Sequence, residues 1–130
     1  MRIPMRSELE VILKAQKLAS HIILVTNKSP KKYRYSYVDK LHNNALSIVE
    51  LLYLANEIKL DPENIEDYQK RLALQTEALA KAKLLGYLSE SATRIGVLLR
   101  RNYSFIAKLL YELDGLNRAW MRSDRKRMMG

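Results

Sequence analysis

The sequence predicts an all-α protein: an antiparallel up-down-up-down four-helix bundle in a single domain of 130 residues. Three observations carry that prediction. Apolar residues recur every three or four positions along four long stretches. Glycine and proline are scarce, four and three in number, and fall near expected boundaries or late in the chain. No alternation of apolar and polar residues persists, so nothing reads as a strand.

The first helix is expected over residues 7–26. Pro4 precedes it, Ser7 can cap it, and Glu8 and Glu10 suit the positive end of the helix dipole. Val11, Ala15, Leu18, Ile22 and Val25 form one stripe, widened by Ile12, Ala19 and Ile23. The second helix is expected over residues 30–59, with Ser29 as its cap and Pro30 in its first turn. Val38, Leu41, Ala45, Ile48, Leu52 and Ala55 make its main stripe, beside Leu46, Val49 and Tyr53. Leu51, Leu54 and Ile58 leave almost no polar face in its last half. A helix apolar nearly all round is buried on more than one side, so these three are the expected oligomer interface.

Asp61-Pro62-Glu63 reads as a cap, a first-turn proline and an acidic first turn for a third helix over residues 62–88. Ile65, Tyr68, Leu72, Leu79 and Ala82 point inward, Gln75 interrupts the row, and the helix is expected to end between Gly86 and Ser89. The fourth helix is expected over residues 91–122. Ile95, Leu99, Asn102, Ile106, Leu109, Leu113, Leu116 and Trp120 alternate steps of three and four, the seam of bundle packing. Gly115 is a weak point within it. Residues 1–6 and 123–130 are expected to fray, the latter as a basic flexible tail.

Lys and Arg number 23 against 14 acidic residues, a net charge of +9. That excess points to a polyanion, nucleic acid or an anionic membrane surface, or else to a solvated basic surface. No helix pairs a basic face with Trp and Phe opposite, which argues against the membrane surface. Cysteine is absent, which excludes disulfides, thiolate metal sites and thiol chemistry. No signal-peptide core and no run near the roughly 20 apolar residues of a membrane span is present. An intracellular, soluble chain is expected.

No catalytic set converges. A di-iron bundle needs Glu-x-x-His on two helices. Here Asp39 precedes His42 at that spacing, but Leu18 precedes His21. The scattered glycines form no phosphate-cradling loop. No enzyme activity, metal or cofactor is therefore expected.

The basic residues fall into two clusters. Lys28, Lys31, Lys32 and Arg34 are interleaved with Tyr33, Tyr35 and Tyr37. Cations neutralise phosphates and tyrosines stack on unpaired bases, although the same tyrosines can serve as packing residues where a helix begins. Arg94, Arg101, Lys108 and Arg122, spaced by sevens, suggest a stripe flanked by Arg100 and Arg118 and prolonged by Arg125, Lys126 and Arg127. The terminal cations also complement the negative end of a helix dipole. Asn43, Asn44, Asn56 and Asn102 lie on or beside apolar stripes, as register-fixing amides or interface contacts.

Three segments carry a resemblance: Leu13-Lys14-Ala15-Gln16-Lys17-Leu18, Ser29-Pro30-Lys31-Lys32-Tyr33-Arg34-Tyr35 and Leu51-Leu52-Tyr53-Leu54-Ala55-Asn56-Glu57. With Trp120 and its basic neighbours, they resemble a family of helical-bundle proteins. That family includes the accessory variability determinants of diversity-generating retroelements and the bundle proteins encoded in ribosomal-RNA intervening sequences. The resemblance spans roughly residues 8–125 and rests on an apolar pattern with a proline-plus-basic turn. It implies a bacterial or phage-encoded, non-enzymatic homo-oligomer, a pentamer, that binds a reverse transcriptase together with RNA or DNA and supports mutagenic cDNA synthesis. Lys31, Lys32, Arg34, Arg94, Arg100, Arg101, Arg118 and Arg122 would carry that role. An intervening-sequence-type bundle of unknown role and a purely protein-binding bundle are the alternatives.

Overall fold

The computed structural model describes residues 6–130, with side chains from Glu8 onward; Pro4 and the Ser7 cap lie outside what is described. Among the described residues four α-helices make up the fold: α1 (Arg6–Val25), α2 (Asp39–Glu57), α3 (Ile65–Arg94) and α4 (Arg100–Met129). No strand occurs among the described residues.

Cross-links between neighbouring helices run in opposite directions along each pair, so successive helices are antiparallel. Between α1 and α4, Lys14 Nζ donates to Glu112 Oε1 at 3.1 Å, and His21 stands edge-on to Phe105 with centroids 4.6 Å apart. Between α3 and α4, Arg71 meets Asp124, and Asn117 Nδ2 donates to the Gln75 carbonyl. At the two ends of α2, the hydroxyl of Tyr37, just before it, meets that of Ser91 on α3 at 2.5 Å, and the carbonyl of Ile58, just after it, accepts from Arg71 on α3. Each helix therefore packs on its chain neighbours, and α1 closes the bundle against α4.

The α1 stripe and the main α2 stripe line the core as their periodicity requires. Leu18, Ile22, Leu41, Ile48 and Leu52 are fully buried, each contributing about 1.5–3 kcal/mol relative to exposure. Leu51 also belongs to this core, at 8 % exposure. It is therefore not part of an outward interface: α2 turns Leu51 inward with Leu52 and leaves Leu46, Tyr53 and Leu54 outside.

Several boundaries differ from the expected ones. The second helical stretch opens with a tight 3₁₀ turn, Lys31–Tyr33, then a wide π turn, Arg34–Val38, before α2 proper. Ser29 does not cap it; its hydroxyl donates to the Val97 carbonyl at 2.6 Å instead. Asn64 caps α3, accepting from the Asp67 N–H at 3.1 Å, while the Asp61 carboxylate accepts from Glu63 N–H in the connection before it. Pro62 therefore lies ahead of the helix.

Helix α3 continues through Gly86 and Ser89 to Arg94. Its stop is Gly96, at φ +86°. Val97 N–H bonds the Ala92 carbonyl at 2.8 Å and Gly96 N–H bonds Thr93 at 3.3 Å. These are the paired bonds of a Schellman cap, with Val97 packed in the core next to Ala92. Ile95 and Leu99 therefore lie in the connection, largely exposed, rather than in the α4 seam. From Ile106 the seam holds: Ile106, Leu109, Leu113 and Trp120 are buried. Gly115 does not interrupt α4.

The tail is helical to Met129 and is held by a buried polar cluster. Asp124 is fully buried and accepts two hydrogen bonds from Arg71, 2.7 Å from Nε and 2.8 Å from Nη2. Gln75 Nε2 adds a third at 3.0 Å. The Arg71 guanidinium also reaches Glu8 and lies 4.9 Å from the Trp120 ring centre. Gln75 thus belongs to a network linking α1, α3 and α4, and the buried face of α3 runs through Arg71, Gln75, Ala78, Ala82 and Leu85, not along the expected row: Ile65 is exposed and Tyr68, Leu72 and Leu79 are half-buried.

Candidate functional site

The antiparallel order brings the α1–α2 and α3–α4 connections to one end of the bundle, referred to as the loop end. Their contact is direct, through Ser29 and Val97. The first basic cluster therefore meets Arg94, at the end of α3, and Arg100 and Arg101, at the start of α4. Lys28, Lys31, Lys32, Arg34, Arg100 and Arg101 are all exposed.

Helix dipoles do not set the sign of this end, because two N-termini and two C-termini meet there and largely offset one another. The side chains do. Helix α4 starts at Leu99 without a side-chain cap and without an acidic residue in its first turn; it carries Arg100 and Arg101 instead. Asp39 and Glu90 are the local carboxylates, and Glu90 is taken by Arg94 at 3.2 Å.

Two recesses open side by side here, sharing Lys28. One, of about 350 Å³, is polar and basic, lined by Thr26, Asn27, Lys28, Ser29, Pro30, Lys31, Arg34, Val38, Asp39 and His42. Among its lining groups, the Thr26 hydroxyl lies 2.8 Å from the Ile22 carbonyl oxygen and shares a 2.7 Å hydrogen bond with His42 Nε2. The other, of about 490 Å³, is lined by Leu24, Val25, Lys28, Gly96, Val97, Leu99, Arg101 and Asn102. Leu24 and Leu99 are exposed at 66 % and 54 %.

The three tyrosines divide. Tyr33 and Tyr37 pack against the core, with Lys32 Nζ 5.1 Å from the Tyr33 ring centre. Tyr35, carried outward by the π turn, is 84 % exposed. Of the three, Tyr35 is the one placed to meet a ligand.

The expected heptad stripe does not lie on one helix. Arg94 ends α3, across the connection from Arg101, while Lys108 and Arg122 follow Arg101 on α4. Arg118 is tied to Asp114 at 2.9 Å. Arg122, Arg125, Lys126 and Arg127 sit at the opposite end, which also receives Glu8, Glu57, Asp61, Glu63, Glu66 and Asp67. Arg127 stands 3.6 Å from Glu8. Positive charge is thus concentrated at the loop end and interspersed with carboxylates at the other.

A groove of about 770 Å³ runs between α1 and α4, lined by Glu10, Leu13, Lys14, Lys17, Tyr111, Glu112, Asp114, Gly115 and Leu116. The hydrogen bond from Lys14 holds Glu112 below the usual carboxylate range. Burial holds His21 below the usual histidine range, opposed in part by a hydrogen bond to the Asn102 backbone.

Among the described residues, no group of three or more His, Asp or Glu side chains could hold a metal ion. Nor is any helix there long and apolar enough to cross a membrane. No protein-family model matches the chain, and no curated protein matches it.

Proposed function

We propose that this chain is a non-enzymatic nucleic-acid-binding bundle, an accessory factor that serves a reverse transcriptase of a diversity-generating retroelement. The observation that supports binding is the convergence of Lys28, Lys31, Lys32, Arg34, Arg100 and Arg101 at one end, where few carboxylates offset them. Such a surface neutralises phosphates without reading sequence. The polymerase partner is supported by the resemblance of the three segments and by no feature of the fold. In this reading the polymerase does the chemistry and the bundle holds template RNA or cDNA near it. Self-association through the outer face of α2, with Leu46, Tyr53 and Leu54, multiplies the basic surface, so modest contacts sum by avidity.

The test is the salt dependence of RNA binding by the purified chain. On single strands the logarithm of affinity falls by about 0.7 per neutralised phosphate per log unit of salt. A slope corresponding to several phosphates supports the reading, and no detectable binding at low salt overturns it.

The α1–α4 groove favours a second reading, a protein-binding bundle. Leu13 and Tyr111 are exposed there, Tyr111 at 83 %. Its contacts would be independent of RNA, and they would combine the exposed Leu13 and Tyr111 with the charged rim of Glu10, Lys14, Lys17 and Asp114.

A further inference from the structure

The two recesses at the loop end differ in chemistry but share one cation. The smaller offers Lys28, Lys31 and Arg34, three cations against the one Asp39 carboxylate, beside the Thr26–His42 pair. The larger offers aliphatic walls, Leu24, Val25, Val97 and Leu99, with Lys28, Arg101 and Asn102 also in its lining. Leu24 and Leu99 are too exposed to serve the core. Gly96, which the Schellman cap requires, adds no side chain, and a Cβ there would meet nothing within 4 Å. The larger recess falls within the roughly 300–1,000 Å³ of small-molecule sites.

We propose that this pair of recesses is a site for an unpaired nucleotide of a single strand, with its phosphate at Lys28, Lys31 and Arg34 and its base in the Leu24–Leu99 recess. The assignment rests on the nucleic-acid reading above and adds strand specificity to it. A phosphate alone needs only the basic recess. A duplex keeps its bases stacked inside and offers only phosphates to such a surface, leaving the apolar recess empty. A splayed nucleotide fills both. Lys28, between the recesses, neutralises the phosphate that links them. The planar Arg101 guanidinium can stack on the base face, and the Asn102 amide supplies one donor group and one acceptor for its edge. The charge of the site selects a nucleotide over an apolar peptide, which would leave those cations unmatched.

The experiment is fluorescence anisotropy with a labelled single-stranded RNA and a blunt duplex of the same sequence, on the full chain. Variants are Leu24→Ser with Leu99→Ser, and Lys28→Gln, with helicity checked by circular dichroism. The wild type is expected to favour the single strand about tenfold. The double Ser variant should lose roughly fivefold or more on the single strand, with little change on the duplex and an unchanged salt slope. Lys28→Gln should weaken both and lower the slope. Equal affinity for single strand and duplex, or a double Ser variant that binds the single strand like wild type, overturns the nucleotide site while leaving general nucleic-acid binding intact. Failure of the wild type to bind either probe overturns both readings.

Discussion

At the residue scale, two glycines have opposite effects. Gly96 sits at φ +86°, a backbone region where a Cβ costs about 1–2 kcal/mol, so Gly96→Ala should destabilise by about that much. Gly115 lies in the regular, exposed part of α4, where an added Cβ would meet nothing within 4 Å, so Gly115→Ala should stabilise by about 0.5–1 kcal/mol. Urea denaturation of both variants reads the two signs. His21 gives a third residue-level expectation. Its folded-state pKa is lowered, so at mildly acidic pH the unfolded chain takes up a proton that the folded chain resists. Its contribution to stability should therefore be intact above about pH 6.5, fall as pH drops below that value, and level off below the lowered pKa. Denaturation between pH 7.5 and 5 should show this fall, and His21→Gln should flatten it. The α1 stripe and the main α2 stripe were legible because periodicity reports burial, whereas the adjacent α2 stripe was not: Leu46 and Tyr53 are exposed and Leu51 is buried. Arg71, Asp124 and Asn117 were not, because a polar residue in a periodic pattern reads as exposed unless its partner is known. Gln75 alone gave a sign, as a polar interruption in an inward row.

At the scale of elements, the existence and type of all four helices followed from periodicity, while their ends depended on local chemistry that composition only hints at. Ser89 and Ser91 resemble a break, yet Ser89 is buried within α3 and Ser91 bonds Tyr37. The stop signal was Gly96 after Thr-Arg-Ile, readable only as a Schellman cap closing on Ala92. The 123–130 segment reads as a frayed basic tail because its cations dominate, but one buried aspartate holds it in place. Removing residues 123–130 should therefore destabilise the whole bundle, not merely trim it. Asp124→Ala should cost about 3–5 kcal/mol, because it leaves the buried Arg71 charge with the longer Glu8 contact and the uncharged Ile58 carbonyl in place of its buried carboxylate partner. Thermal unfolding of the truncated and substituted chains checks this. Unfolding indistinguishable from wild type in both would mean that the tail helix is not part of the cooperative unit.

At the scale of the whole molecule, the antiparallel topology gives the charge its direction. Sequence alone separates the 28–34 cluster from the cations after Arg94 by some sixty positions. The bundle brings the first of them together with Arg94, Arg100 and Arg101 and sends the tail cations to the end that holds Glu8, Asp61 and Glu63. Which basic residues share a surface was therefore not legible before the connections were placed. A heptad count that crossed the Gly96 connection joined Arg94 to a helix it does not belong to. If the loop end, and not the total charge, binds nucleic acid, two triple variants of equal charge will behave differently. One is Lys31→Gln with Arg34→Gln and Arg101→Gln at the loop end; the other is Arg118→Gln with Arg122→Gln and Arg125→Gln toward the opposite end. Their affinity for single-stranded RNA would be measured across a salt series. The loop-end variant should lose about 2 units of log-log salt slope, and most of its affinity at low salt, while the other stays near wild type. Equal losses in both, or a larger loss in the second, would contradict binding at the loop end.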